Sequence, residues 1–136
     1  MPLNLATAAW PFERVEFYEA AHGYIVWRLG TGGNVELLHI KAEPRGRGHG
    51  RRRFYQMLER LRESPPYHSI YGFTRVSNEE ARAFYGALGF CLQEVAGVYA
   101  DGRAVLFWAP YEVLVHNMRD YQNDQMLAKP RRVWGE

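Results

Sequence analysis

The stretch Arg45-Gly46-Arg47-Gly48-His49-Gly50 decides how this sequence is interpreted. Glycine at every second position removes side chains from one turn, so the backbone N–H groups of the turn can approach a bulky anion closely. A short apolar run precedes the stretch, and the residues that follow it are basic and have helical spacing. Because the N-terminus of a helix carries a partial positive charge, the stretch predicts a phosphate-binding turn.

This turn does not match two common nucleotide-binding loops. A Walker A loop ends in Lys followed by Ser or Thr, and the dinucleotide fingerprint needs glycine at the position of Arg53. A flexible, solvated turn with incidental arginines is the alternative for this stretch taken alone. The strand expected before it and the helix expected after it favour a binding site.

The composition is that of one globular domain. Of the 136 residues, 47% are hydrophobic and 15% aromatic, which favours a well-filled core or an apolar binding slot. A net charge of only +2 argues against a surface built throughout for nucleic acid. The single cysteine, Cys91, excludes an internal disulfide, and we expect it to pack as a small apolar residue. The chain has neither a membrane-spanning apolar run nor a secretory signal, so we expect a soluble, cytoplasmic protein with no membrane partner.

Strands and helices alternate in the predicted secondary structure. Upstream of the glycine turn we expect a helix over residues 12–21, then strands over residues 24–29 and 35–42 joined by a turn. Period-two alternation would place Glu36, Leu38 and Ile40 on one face of the second strand.

Downstream of the turn, Phe54, Met57, Leu58 and Leu61 predict a helix. A strand over residues 69–75 follows. Ser77 and Glu80 form a capping-box signature for another helix, which Gly89 would end. Strands over residues 90–99 and 103–109 and a helix beyond Pro110 complete the chain. The order predicts an α/β fold, a mixed sheet with helices packed on its faces.

A second motif covers residues 78–90, Asn-Glu-Glu-Ala-Arg-Ala-Phe-Tyr-Gly-Ala-Leu-Gly-Phe. Taken alone, it is a capped amphipathic helix that ends at a glycine. Tyr85 could simply fill the core there, with its hydroxyl at the rim.

The two motifs together resemble the GNAT superfamily of acyl-CoA-dependent N-acyltransferases. The cofactor loop of that family, Arg/Gln-x-x-Gly-x-Gly/Ala, is matched by Arg45, Gly48 and Gly50. The second family signature is matched at Asn78, Ala81, Phe84, Tyr85, Leu88, Gly89 and Phe90. The resemblance covers roughly residues 24–109.

The resemblance implies a largely antiparallel, twisted mixed sheet with flanking helices. One parallel strand pair, residues 35–42 and 69–75, would be splayed apart. Acetyl-CoA is the implied cofactor, with its pyrophosphate on the loop amides and its pantetheine arm along the strand before the loop. The implied cofactor-binding residues are His39, Ile40, Lys41, Arg45, Gly46, Arg47, Gly48, His49, Gly50, Arg51, Asn78 and Tyr85. No metal is expected, since the five histidines lack metal-ligand spacing.

Two catalytic residues are implied by the same resemblance. Tyr85 matches the general acid, because a phenol with a pKa of about 10 can protonate the leaving thiolate. A backbone N–H near Ile40 would stabilise the oxyanion. Glu36 is the candidate base that would make the attacking amine neutral. A solvent-facing strand residue is the equal alternative for Glu36, and some family members need no protein base; Glu43 fits a surface carboxylate better.

The domain prediction is a GNAT-like domain over residues 1–110 with an abbreviated N-terminus. A C-terminal extension, a helix plus a tail, would cover residues 111–136. The acceptor site would then be open, or covered by this extension or by a second copy of the chain in a homodimer.

The predicted reaction is transfer of an acetyl group from acetyl-CoA to a primary amine in a ternary complex. One alternative is a non-catalytic member of the fold that binds acyl-CoA or a protein partner. A nucleic-acid-binding module is the other alternative, and the net charge of only +2 argues against it.

Overall fold

The computed structural model describes residues 15–20, 23–43, 48–63, 65–100 and 102–128. The elements in chain order are β1 (Val15–Ala20), β2 (Gly23–Leu29), β3 (Asn34–Ala42), α1 (His49–Leu61), β4 (Ser69–Arg75), α2 (Glu79–Leu88), β5 (Cys91–Tyr99), β6 (Gly102–Pro110) and α3 (Tyr111–Ala128). Within these residues the strands form one six-stranded sheet in the order β1-β2-β3-β4-β6-β5.

The sheet is antiparallel except between its two central strands. Residues 34–36 of β3 pair in parallel with residues 69–71 of β4. Beyond these three pairs the strands diverge, although β3 continues to Ala42 and β4 to Arg75. The expected mixed, largely antiparallel sheet with a splayed parallel pair is therefore confirmed.

Gly72 lies where β3 and β4 begin to part. A Cβ atom at Gly72 would lie 2.3 Å from Cζ of Phe107 and 2.7 Å from the carbonyl oxygen of Leu37. Because any side chain would collide with both a buried ring and backbone, glycine is required for the close packing at this fork.

One face of the sheet, called here the helix face, carries the core. The ladder register places Trp27, Leu37, Ile70 and Phe107 on this face, and all four are buried. The core cluster continues into α1, α2 and α3, so the three described helices pack on the same face. The first half of α3 thus belongs to the same core as the sheet, whereas the domain boundary at residue 110 remains a prediction.

A β-bulge interrupts the alternation of β3. Val26 pairs with His39 but the next residue of β2, Trp27, pairs with Leu37, so Leu38 is an extra residue in the ladder. Glu36 and His39 consequently point to the face opposite the helices, whereas Ile40 points to the helix face. The expectation that Glu36 and Ile40 share a face is wrong, because strict alternation holds only in an unbroken ladder.

The helix expected over residues 12–21 is also wrong where the structure describes it. Val15–Ala20 is an edge strand that pairs with β2 along its whole length. Sheet pairing overrides a weak helical period in a segment rich in β-branched and aromatic residues. The predicted bounds of β2 to β6 hold to within one residue at either end, and α3 begins directly after Pro110.

Candidate functional site

The start of α1 is a helix terminus without a side-chain cap. Gly48 is the N-cap residue, and the first turn contains no acidic side chain. The N–H of Arg52 donates to the carbonyl of Gly48 at 3.0 Å, which begins the helical bonding. The N–H groups ahead of Arg52 have no carbonyl partner within the helix, so this end favours an anion.

The two described glycines of the first motif are required for different reasons. Gly48 has a φ of +77°, the left-handed region, and a Cβ there would meet no atom of the described residues within 4 Å. At Gly50 a Cβ would lie 3.1 Å from Cε1 of Phe84, so glycine allows α1 to pack closely on α2. Arg45, Gly46 and Arg47 lie outside the described residues, and their part in the cofactor loop remains a prediction.

α2 begins beside the start of α1 and is capped by Asn78. The side-chain oxygen of Asn78 accepts a hydrogen bond from the N–H of Ala81 at 3.0 Å. The cap is therefore one residue later than Ser77, because an Asn oxygen reaches the N–H three residues on. Gly89 ends the helix at a φ of +106°, which confirms the predicted glycine stop.

A cavity of about 910 Å³ opens where β3 and β4 diverge. Ile40 and Thr74 line it from the helix face, whereas Tyr24, His39 and Phe73 line it from the opposite face. The cavity therefore passes through the gap in the sheet. The sequence-predicted residues that line it are His39, Ile40, Lys41, Gly48, His49, Gly50, Arg51, Asn78 and Tyr85.

The edge of β3 that faces this cavity carries unpaired backbone groups. β3 pairs with β2 as far as Ala42 but with β4 only as far as Glu36. Half of the N–H and C=O groups of residues 37–42 therefore lack a ladder partner within the described part of the chain. A ligand with its own amide groups can pair with such an edge as an added strand does.

Tyr85 forms part of the cavity wall on the helix face. Its ring is 7% exposed and stacks on Phe107, with centroids 3.8 Å apart and planes inclined by 10°. Burial, with a smaller contribution from Tyr99, raises the pKa of Tyr85 well above its ordinary value. The phenol therefore stays protonated at neutral pH and can donate a hydrogen bond into the cavity.

His39 and Tyr24 form a pair on the opposite face. The Tyr24 hydroxyl lies 3.0 Å from Nδ1 of His39, and the two rings meet edge-on with centroids 5.2 Å apart. Burial, followed by the charge of Lys41, lowers the pKa of His39 below its ordinary value. The sequence predicts His39 only as part of the cofactor strand, because the pairing with Tyr24 depends on the ladder register.

Glu36 is not among the residues that line the cavity. Its carboxylate forms an ion pair with Arg28, the residue opposite it in the ladder. The hydroxyl of Tyr71 also donates to this carboxylate, at 3.5 Å. The structure thus places Glu36 at the paired end of the fork, apart from Tyr85.

α3 packs behind the start of α1. The guanidinium carbon of Arg51 lies 4.5 Å from the ring centroid of Tyr121, and Nη1 of Arg51 donates to the hydroxyl of Tyr55 at 3.0 Å. Residues 111–121 of the extension therefore pack on the helix face and do not cover the opposite face. The rest of the extension, residues 129–136, is outside the described residues.

Neither a metal site nor a membrane-spanning helix occurs among the described residues. No group of three His, Cys, Asp or Glu side chains among them could hold a metal ion. No helix in the described ranges is long and apolar enough to cross a membrane.

Cys91 is exposed, and the expectation that it packs as an apolar residue is wrong, because it starts the edge strand β5.

Comparison with solved structures places this geometry in a known fold. A GNAT-family protein of Desulfovibrio desulfuricans is 18% identical, with a TM-score of 0.62 over 72% of this chain and 69% of its own. Ard1 from Thermoplasma volcanium is 26% identical, with a TM-score of 0.58 over 65% of this chain and 62% of its own. A Bacillus anthracis protein described as a streptothricin acetyltransferase, in complex with acetyl coenzyme A, is 23% identical, with a TM-score of 0.58 over 65% and 55%.

The sequence comparisons are consistent with these structures. No curated protein sequence is similar enough to match. The sequence model of the Acetyltransferase (GNAT) family matches residues 9–90, which is more than half of the chain. Both predicted motifs fall largely within that match, and the fold is shared with GNAT structures. This chain therefore belongs to the GNAT family of acetyltransferases, enzymes that use acetyl-CoA.

Proposed function

We propose that this protein transfers the acetyl group of acetyl-CoA to a primary amine within a ternary complex. The observation that carries the proposal is the cavity of about 910 Å³ between β3 and β4. An uncapped helix start, an unpaired strand edge and a buried phenol all line this one space. These are the partners that a pyrophosphate, an amide-bearing arm and a thioester require.

The described residues offer a place for each part of acetyl-CoA. The N–H groups of Gly48, His49 and Gly50, with the side chain of Arg51, would bind the pyrophosphate. The backbone of residues 39–41 would pair with the pantetheine arm, and Asn78, which lines the same cavity, would contact it from α2. When bound, the cofactor supplies an acetyl group activated as a thioester.

Tyr85 is the proposed general acid. Its O–H would donate to the sulfur as the C–S bond breaks, and its raised pKa keeps that proton in place at neutral pH. A backbone N–H on the free edge of β3 near Ile40 would stabilise charge on the carbonyl oxygen. The amine would approach from the opposite face, because the helix face is the side on which the cofactor residues of α1 and α2 lie.

Thermal shift with acetyl-CoA is the first test. A ligand that binds only the folded state at about 100 times its Kd adds about 2.7 kcal/mol, so the Tm should rise clearly. Gel filtration with light scattering also tests the homodimer, one alternative for the acceptor site, in which a second copy would cover the opposite face. An unchanged Tm at saturating acetyl-CoA would overturn the proposal.

Thiol release with a panel of primary amines is the second test, in a Cys91→Ser background that removes the exposed thiol. Tyr85→Phe should lower kcat by about 10²-fold while the Kd for CoA changes little. Tyr67→Phe is the matched control, since Tyr67 does not line the cavity. Equal activity of the Tyr85 variant would remove this residue from the acid role.

A further inference from the structure

We propose that the imidazole of His39, oriented by the hydroxyl of Tyr24, is the base that accepts a proton from the acceptor amine. This inference rests on the proposed function and assigns a second catalytic residue to the same cavity. It also gives the bulge in β3 a chemical consequence, because the bulge determines which side chains face the acceptor side.

The position of His39 follows from the ladder. His39 pairs with Val26 of β2 and lies after the bulge at Leu38, on the face opposite the helices. It lines the part of the cavity that Tyr24 and Phe73 also line. Tyr85 lies on the other side of the gap, so an amine entering from this face would meet His39 on its way to the thioester.

The contact with Tyr24 can fix the tautomer of His39. The phenol oxygen of Tyr24 lies 3.0 Å from Nδ1, and when Nδ1–H donates to that oxygen the lone pair resides on Nε2. The edge-on contact of the two rings limits rotation of the imidazole. A base whose other nitrogen is held by a third group is oriented for proton transfer.

The charges around His39 favour a neutral imidazole. Burial and the nearby Lys41 lower the pKa of His39, which favours the neutral imidazole, and in the tautomer whose Nδ1–H donates to Tyr24 the free lone pair is on Nε2. Since the His39 residue is also exposed to solvent, a proton that it accepts can pass to water. The other titratable groups that line the cavity are Tyr24, Lys41, Glu43, His49, Arg51, Glu80 and Tyr85.

Glu36 is less suited to the same step. Arg28 and Tyr71 both engage its carboxylate, and its side chain is 15% exposed. A proton on Glu36 would break the ion pair with Arg28, whereas a proton on His39 breaks no ion pair. Glu36 also does not line the cavity.

The proton balance assigns a separate residue to each transfer. The acceptor enters as an ammonium ion and loses one proton to Nε2 of His39, which leaves a neutral amine. The amine nitrogen bonds to the acetyl carbon, the C–S bond breaks, and the electron pair goes to sulfur. The sulfur gains the phenolic proton of Tyr85. The nitrogen loses its second proton, and this proton restores the phenol of Tyr85. One proton in total leaves to water through His39.

The test compares His39→Asn and Tyr24→Phe with His116→Asn, a matched histidine control on α3 that does not line the cavity. Benzylamine, spermidine and a lysine peptide are first compared as acceptors for the wild-type enzyme. Thiol release from acetyl-CoA is then measured from about pH 5 to 9 with the amine that is acetylated fastest. His39→Asn should lower kcat/KM by about 10²-fold at neutral pH and move the acidic limb of the profile up to the pKa of the amine, because only amine that is already neutral in solution can then react. Tyr24→Phe should give a loss of about five-fold. His116→Asn should match wild type.

The Kd for CoA separates this inference from the proposed function. It should stay within about two-fold of wild type in all three variants, which also shows that they fold. A His39→Asn enzyme with wild-type kcat/KM, or with a lower rate but the wild-type acidic limb, would overturn the assignment and leave Glu36 as the candidate. A wild-type protein that binds CoA but acetylates no amine would overturn it together with acetyl transfer.

Discussion

Replacing Gly48 by Asp or by Asn tests the phosphate site with a single charge. Gly48 caps α1 at a φ of +77°, and a Cβ there would lie more than 4 Å from every atom that the structure describes beyond its chain neighbours. Asn and Asp are the side chains that best tolerate this left-handed conformation, so both variants should fold with similar Tm values. The two side chains differ by one negative charge beside the site proposed for the pyrophosphate.

The size of the effect follows from Coulomb's law. Two unit charges about 6 Å apart at an effective dielectric of about 20 repel by about 3 kcal/mol, which corresponds to about 10²-fold in Kd. We therefore expect Gly48→Asp to bind CoA about 10²-fold more weakly than Gly48→Asn in isothermal titration calorimetry at low salt. Raising the salt to about 0.5 M should reduce the difference, since the site is open to solvent.

The Asn variant is the internal control for added bulk. If the Asp and Asn variants bind CoA with the same Kd at low salt, the pyrophosphate does not lie at the start of α1. The physical interpretation of the glycine turn would then be refuted, whatever the activity of either variant.

Two further predictions concern the fork and the acid. Gly72→Ala would place a methyl group against both Phe107 and the carbonyl of Leu37. Overpacking of this kind costs about 1–3 kcal/mol, so the Tm measured by calorimetry should fall by roughly 5–10 °C. A Tm within error of wild type would contradict the close packing at Gly72. Because the pKa of Tyr85 is raised, its proton should persist on the alkaline side, so kcat should not fall through the ordinary phenol range near pH 10. A kcat that declines with a midpoint near 10 would show that the acid is an unshifted phenol.

Local features of the chain were predictable, and long-range features were not. The helix start after the glycine turn, the glycine stop at Gly89 and the strand at Ser69–Arg75 depend on neighbouring residues, so sequence patterns suffice to predict them. The bulge at Leu38 depends on which residue of β2 lies opposite, and no pattern within β3 encodes it. The same is true of the ion pair that engages Glu36, since its partner belongs to another strand.

The strand over Val15–Ala20 was missed for a related reason. A six-residue edge strand has one neighbour and a short apolar pattern, so a loose helical period fits the segment equally well. The motifs therefore predicted residues of α1 and α2 that line the cavity, whereas the side chains on the opposite face required the register of the sheet.

The ring of Phe107 links the point where β3 and β4 part to Tyr85, the proposed acid. Phe107 packs under Gly72, where β3 and β4 part, and its ring also stacks on that of Tyr85. A change at the fork that displaces Phe107 must therefore also displace the phenol, because a ring stacked at 3.8 Å has no room to move alone. This coupling predicts that Gly72→Ala lowers kcat beyond what its loss of stability explains, even at temperatures where the variant is fully folded. Measurement of kcat well below the Tm separates the two effects, and an unchanged kcat there would show that the acid is positioned independently of the fork.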